Sequence, residues 1–105
     1  MERGPQDQFS DAEISEALKG MSGWEYDAED KAIRKTFLRK NFLDAAAFIQ
    51  KAAEIAEAQD HHPDIFLHKY KNLTFTLSTH SAGGVTQNDI DLANALDQLA
   101  GETNP

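Results

Sequence analysis

The chain has no cysteine among its 105 residues. That excludes disulfides, thiolate metal sites and a thiol nucleophile, and it fits a reducing compartment. Cations are scarce: 10 Lys and Arg stand against 18 Asp and Glu, for a formal net charge of -8. Such a surface repels phosphate backbones, so direct nucleic-acid binding is not expected. No apolar run approaches the roughly 20 residues that cross a bilayer. The opening MERGPQDQF lacks the apolar stretch of a secretory signal. Membrane association is therefore not expected, and a cytoplasmic location is. A glycine-rich phosphate loop is also missing. With only three prolines in the chain, each one marks a specific break.

This length predicts one domain over 1–105, with residues 1–8 as a polar flexible tail. An active site on so small a body is expected to be shallow or shared between subunits. Ser10 and Glu13 form a capping box, with Phe9 and Ile14 as a hydrophobic staple, so a helix starts there. Ile14, Leu18 and Met21 mark its apolar face, and Gly20 and Gly23 end it. Residues 23–26 and 33–38 read as strands joined by a turn at 27–30, hence an antiparallel hairpin. From Asn41 the period lengthens. Phe42, Ala45, Ala46, Ile49, Ala52, Ala53 and Ala56 predict a long amphipathic helix to about Ala58. Pro63 stops it. Residues 64–70 form a modest strand candidate. Leu73, Phe75, Leu77 and Thr79 alternate with Thr74, Thr76, Ser78 and His80, the clearest strand pattern in the chain. A loop at 81–84 leads to a last helix capped by Thr86 and Asp89, stapled by Val85 and Ile90, and stopped by Gly101. The order α-β-β-α-β-β-α predicts an α+β fold, a four-stranded antiparallel sheet with three helices on one face. Its exposed edges invite pairing with a second copy, so a homodimer or homotetramer is expected.

Three of the four histidines gather at element ends: His61 and His62 beside Pro63, and His80 at the end of the clear strand. Histidine is the side chain suited to proton transfer near neutral pH. The negative end of the long helix favours a protonated imidazole nearby. Glu57, one turn before His61, is expected to bond that ring, with Asp60 as a further negative neighbour. Adjacent rings at a chain reversal point in different directions, so one can face a ligand while the other orients or packs. A helix C-cap is the plain alternative. A zinc site built from His61, His80 and a carboxylate is a weaker one, because no His-x3-His pair exists. No metal is expected. Asp89 in a capping position needs no role beyond the cap, and His68 reads as an exposed strand residue.

The ordered string Glu57-x3-His61-His62-Pro63-x6-Tyr70-x9-His80-x8-Asp89 resembles the signature of the pterin-4a-carbinolamine dehydratases. Ala32-Ile33-Arg34-Lys35-Thr36-Phe37, Leu77-Ser78-Thr79-His80 and Gly84-Val85-Thr86-Gln87-Asn88-Asp89 are similar to further segments of that family. The likeness runs from residue 10 to residue 100 without a large gap. It implies dehydration of 4a-hydroxytetrahydrobiopterin to quinonoid dihydropterin, as a hydro-lyase recycling tetrahydrobiopterin. The pterin is then the substrate, no cofactor is used, and an aromatic amino-acid hydroxylase is a possible partner. It also implies His61 and His80 as the acid/base pair, with His62 orienting substrate and sharing catalysis. Asp60, His61, His62, Pro63, Ser78, Thr79, His80, Ser81 and Ala82 are implied pterin contacts, with Glu57 and Asp89 as supporting carboxylates. The alternatives are an interaction protein or transcriptional coactivator that stabilises a partner's dimer, which would add a nuclear location, and a non-catalytic pterin-binding accessory protein.

Overall fold

A computed structural model describes residues 7–102. Most of the expected tail, residues 1–6, lies outside the described residues. At Gln8 the chain is already seated, for its side-chain amide packs against Gly84, and the next backbone N–H, of Phe9, bonds the Val85 carbonyl at 2.8 Å.

Helix α1 (Asp11–Leu18) starts at the capping box. The Ser10 hydroxyl accepts from the Glu13 N–H, and Glu13 accepts from the Ser10 N–H. Strands β1 (Glu25–Asp27) and β2 (Ala32–Leu38) form the expected hairpin. Its turn is built by Asp27, whose carboxylate accepts the N–H groups of Glu29 at 3.0 Å and Asp30 at 3.1 Å. Lys31, at φ 54°, turns the chain back into β2. Helix α2 (Phe42–Gln59) opens on Asn41, which caps the Asp44 N–H, and closes on Asp60 in the left-handed region at φ 51°. Strands β3 (Asp64–His68) and β4 (Asn72–Leu77) make the second hairpin. A 3₁₀ turn (His80–Ala82) occupies part of the expected loop, and helix α3 (Gln87–Glu102) completes the chain.

The sheet is antiparallel throughout, in the order β1-β2-β4-β3. Its register puts Ile33 opposite Leu77 and Phe37 opposite Leu73 on one face, and the three helices cover that face. Phe37, Phe48 and Phe75 meet at centroid distances of 5.5–5.9 Å, arrangements that add to simple burial. The other face is open. Arg34, Thr36, Thr74, Thr76, Asp64 and Phe66 lie there in register. None of the helices is long and apolar enough to cross a membrane among the described residues.

Four expectations change. Residues 69 and 70 are not strand: Lys69 and Tyr70 both take positive φ and form the turn between β3 and β4. Of the expected α2 stripe, Ala45, Ala52 and Ala56 are buried, joined by Phe48, whereas Phe42 is 57% exposed and Ala46 and Ala53 face out. Both stripes have helical spacing. The structure places Phe48, not Phe42, against the sheet aromatics. Gly101 does not stop α3, which runs through it, since a glycine without a left-handed φ is only a weak helix residue. His68 is half-buried rather than exposed, bonded to Thr74 at 3.0 Å and stacked on Phe66.

Arg39 is buried and lies over the Phe48 ring at 4.5 Å. Asp44 receives the Lys40 N–H and the Arg39 guanidinium, each at 3.0 Å. The backbone bond from Lys40, with the Arg39 contact, holds the Asp44 carboxyl below its ordinary value. A depressed folded pKa means that the unfolded chain takes up the proton first. The contribution of Asp44 to stability is therefore complete above the unfolded value, about 3.9, and is lost as pH falls through the folded one. Asp44→Asn should lower unfolding free energy at neutral pH by on the order of 1 kcal/mol and flatten the acid limb of thermal stability against pH. An unchanged acid limb would show that this contact is inert.

Candidate active site

Alternation along β4 and just beyond sorts its residues between the two faces. Leu77 and Thr79 point inward, while Thr76, Ser78 and His80 reach the open side. Thr79 is buried and donates its hydroxyl to Asp89 Oδ2 at 2.8 Å. That hydroxyl has one proton, so the 2.9 Å contact between the two threonine hydroxyls has Thr86 as donor. The Thr86 N–H also reaches Asp89 Oδ2, at 2.9 Å. Thr86 and Asp89 thus cap α3, as the sequence predicts. Asp89 does more than cap: it is fully buried, and its other oxygen, Oδ1, lies 2.5 Å from His61 Nε2. A carboxylate only accepts, so in this contact His61 Nε2 is the donor.

The two neighbouring imidazoles diverge. His61 turns inward to Asp89, leaving 12% of its side chain exposed. His62 turns outward and meets Glu57 Oε1 at 2.7 Å. The expected Glu57–His61 contact is therefore corrected to Glu57–His62. The left-handed Asp60 breaks the helical spiral after Gln59, so His61 no longer lies one turn above Glu57.

His62 and His80 line the same open cavity of about 450 Å³. The wall also holds Ser78, Thr76, Ala32, Arg34, Asp64, Gly83 and the hairpin-turn residues Glu29, Asp30 and Lys31. Of the residues named from the sequence, His62, Ser78 and His80 are on this lining. His61 and Thr79 are not on it and belong to the Asp89 network. Asp60, Pro63, Ser81, Ala82 and Glu57 are not on the lining, and Glu57 reaches it only through its bond to His62. The Ser78 hydroxyl donates to the Lys31 carbonyl at 2.8 Å, so it ties the hairpin turn to β4. Among the described residues, no three His, Asp or Glu side chains are grouped to hold a metal ion.

Sequence reasoning missed Arg34, Asp64 and Thr76. Strand period alone puts Thr76 on the face of Ser78 and His80; Arg34 and Asp64 follow only from register, which pairs both with Thr76. Arg34 Nε donates to Thr76 Oγ1 at 3.1 Å, and its two terminal nitrogens meet Asp27 at 3.0 Å and Asp30 at 3.1 Å. The Asp27 bond raises the Arg34 pKa, and the Arg34 guanidinium, with the turn N–H groups, holds the Asp27 carboxyl below the ordinary carboxylate range.

The family model described as pterin 4 alpha carbinolamine dehydratase matches residues 7–99. The chain belongs to this family. A relative from Roseiflexus sp. (strain RS-1), which carries a pterin-4-alpha-carbinolamine dehydratase name provisionally, is 45% identical over 87% of this chain and 95% of its own. One from Mycobacterium avium (strain 104), named in the same way, is 41% identical over 89% of this chain and 96% of its own. A crystal structure described as a transcriptional coactivator/pterin dehydratase from Brucella melitensis superposes with a TM-score of 0.85. It is 38% identical and covers 90% of this chain and 100% of that one.

Asp89 is the polar centre of this candidate site. Asp89→Ala would strand the Thr79 hydroxyl, the Thr86 N–H and the His61 ring in a buried space. Urea unfolding should show a loss of on the order of 3 kcal/mol. Thr79→Val, which removes one donor, should cost about 1–2 kcal/mol. An Asp89→Ala loss no larger than that of an average surface change would contradict the network.

Proposed function

We propose that this protein is a hydro-lyase that dehydrates a 4a-hydroxytetrahydropterin to the quinonoid dihydropterin. The observation that carries the reading is the shared cavity of His62 and His80, with His61, the residue before His62, held by a buried carboxylate. Its volume of about 450 Å³ falls in the range of small-molecule pockets, ~300–1,000 Å³. Family membership supplies the substrate class.

The reaction needs two proton movements. The C4a–O bond breaks, and its oxygen leaves as water after taking a proton from a general acid. A base takes a proton from the ring. In this proposal His61 and His80 act as the acid/base pair. Asp89 fixes the His61 tautomer and gives the ring a counter-ion once it is protonated. His62, steadied by Glu57, orients the substrate and shares in proton transfer. No redox change occurs, so the proposed chemistry calls for neither a metal nor a further cofactor. The physiological setting is tetrahydrobiopterin recycling beside an aromatic amino-acid hydroxylase in the cytoplasm.

Leu38, Phe42 and Leu43 are 57–80% exposed around the start of α2. Large exposed apolar side chains in one region mark an interaction surface. In this proposal a homo-oligomer covers them. A coactivator role is favoured by the same surface and by the description of the Brucella melitensis structure.

Freshly generated 4a-hydroxytetrahydrobiopterin is the assay substrate. His61→Ala and His80→Ala should each reduce the dehydration rate by about a hundredfold or more. Wild-type rates in both variants would remove the assignment. Light scattering on the full chain should give a dimer or tetramer, and Phe42→Glu with Leu43→Glu should shift it towards monomer. A monomeric wild-type chain would leave those residues to a different partner.

A further inference from the structure

We propose that the β1–β2 turn, clamped by Arg34, is the specificity wall of the cavity and selects an uncharged pterin side chain over an anionic one. The inference rests on the pterin reading above and concerns what the ring carries.

The turn is rigid for reasons visible in its bonds. Asp27 organises it from within by accepting the Glu29 and Asp30 N–H groups. Arg34 spans it from below, joining Asp27 and Asp30 to Thr76 on β4. Ser78 fixes its far end through the Lys31 carbonyl. Glu29, Asp30 and Lys31 are thereby presented to the cavity as one side of its lining. Asp64 and His62 form the opposite part, since Asp64 pairs in register with Thr76 and Thr76 with Arg34.

The charge of the wall follows from who is paired. The Arg34 guanidinium is spent on Asp27 and Asp30, which leaves that trio with one negative charge. Glu29 and Asp64 have no cation partner among the described residues, and Lys31 is the one lining cation without a carboxylate partner there. Carboxylates outnumber available cations around the cavity, inside a chain that already carries a net charge of -8. A phosphorylated side chain leaving the ring would meet like charge. A hydroxylated one would meet acceptors for its O–H groups. Arg34 acts here as a positioning residue, holding the wall through Asp27, Asp30 and Thr76.

The test compares binding of dihydroneopterin and dihydroneopterin triphosphate to the full chain by calorimetry. The rings match; the triphosphate adds charge and bulk to the side chain, and the salt dependence separates the two. The neutral compound should bind more tightly by about tenfold or more at low salt, and the gap should narrow as salt screens the wall. Glu29→Gln combined with Asp64→Asn should also narrow it. Arg34→Gln should weaken the neutral pterin and raise KM more than it lowers kcat, with Arg34→Lys restoring part of the loss. Equal affinity for the two compounds, tighter binding of the triphosphate, or a gap unmoved by the Glu29 and Asp64 changes would overturn the inference while leaving the pterin reading intact. Binding of neither compound would count against the pterin reading itself, and this inference would fall with it.

Discussion

One buried carboxylate holds the site together. Asp89 accepts from the end of β4 through Thr79, from the start of α3 through Thr86, and faces the end of α2 through His61. A carboxylate taken from water is tolerated only when its oxygens are matched by donors. Here the donors come from three elements, two of them within ten residues of Asp89 and the third, His61, 28 positions away. Satisfying Asp89 therefore fixes the mutual placement of those element ends. Placing the ends also places His61, His62 and His80, because each is next to or part of the network. No buried side-chain polar atom lacks a partner among the described residues, so the network is closed.

The sheet divides the labour. Its helix-covered face carries the packed aromatics, and its open face carries hydroxyls and charges. A cavity on the open face inherits its floor from the strands, its histidines from the terminated elements and one side from a hairpin turn tied at three points. Small domains cannot enclose a deep cleft. This one has a shallow site whose rim is bonded to the sheet. The same economy explains Lys35, which lies on the helix-covered face yet stays satisfied through Asp97 and the Ser22 carbonyl.

Local chemistry was readable in the sequence wherever one segment decided the outcome. The Ser10–Glu13 and Thr86–Asp89 caps, the stop at Pro63 and the alternation of 73–79 all occur in the structure. Element order and the gathering of histidines at element ends followed from these. What failed depended on distant partners. Two stripes of α2 have equal helical spacing, and only the sheet aromatics choose Phe48 over Phe42. Glu57 bonds His62 because a left-handed Asp60 redirects the chain, a conformation that nothing in the local pattern specifies. The reach of Asp89 to His61 across 28 positions was out of range for capping logic, which explained Asp89 fully without it. The Arg34 clamp needed the strand register before its three partners could be named.

The central claim is that Asp89 fixes His61 and so sets the placement of His62 and His80 on the cavity proposed to take a pterin. Nitrogen-15 NMR of the histidine rings in the full chain tests it most directly. The account predicts that His61 carries its proton on Nε2 with a downfield, exchange-protected signal, and that a reduced pterin shifts the His62 and His80 rings but leaves His68, bonded to Thr74 elsewhere on the sheet, in place. A His61 ring that is mobile or carries its proton on Nδ1 alone, or a pterin that moves His68 and not His62 or His80, would contradict it.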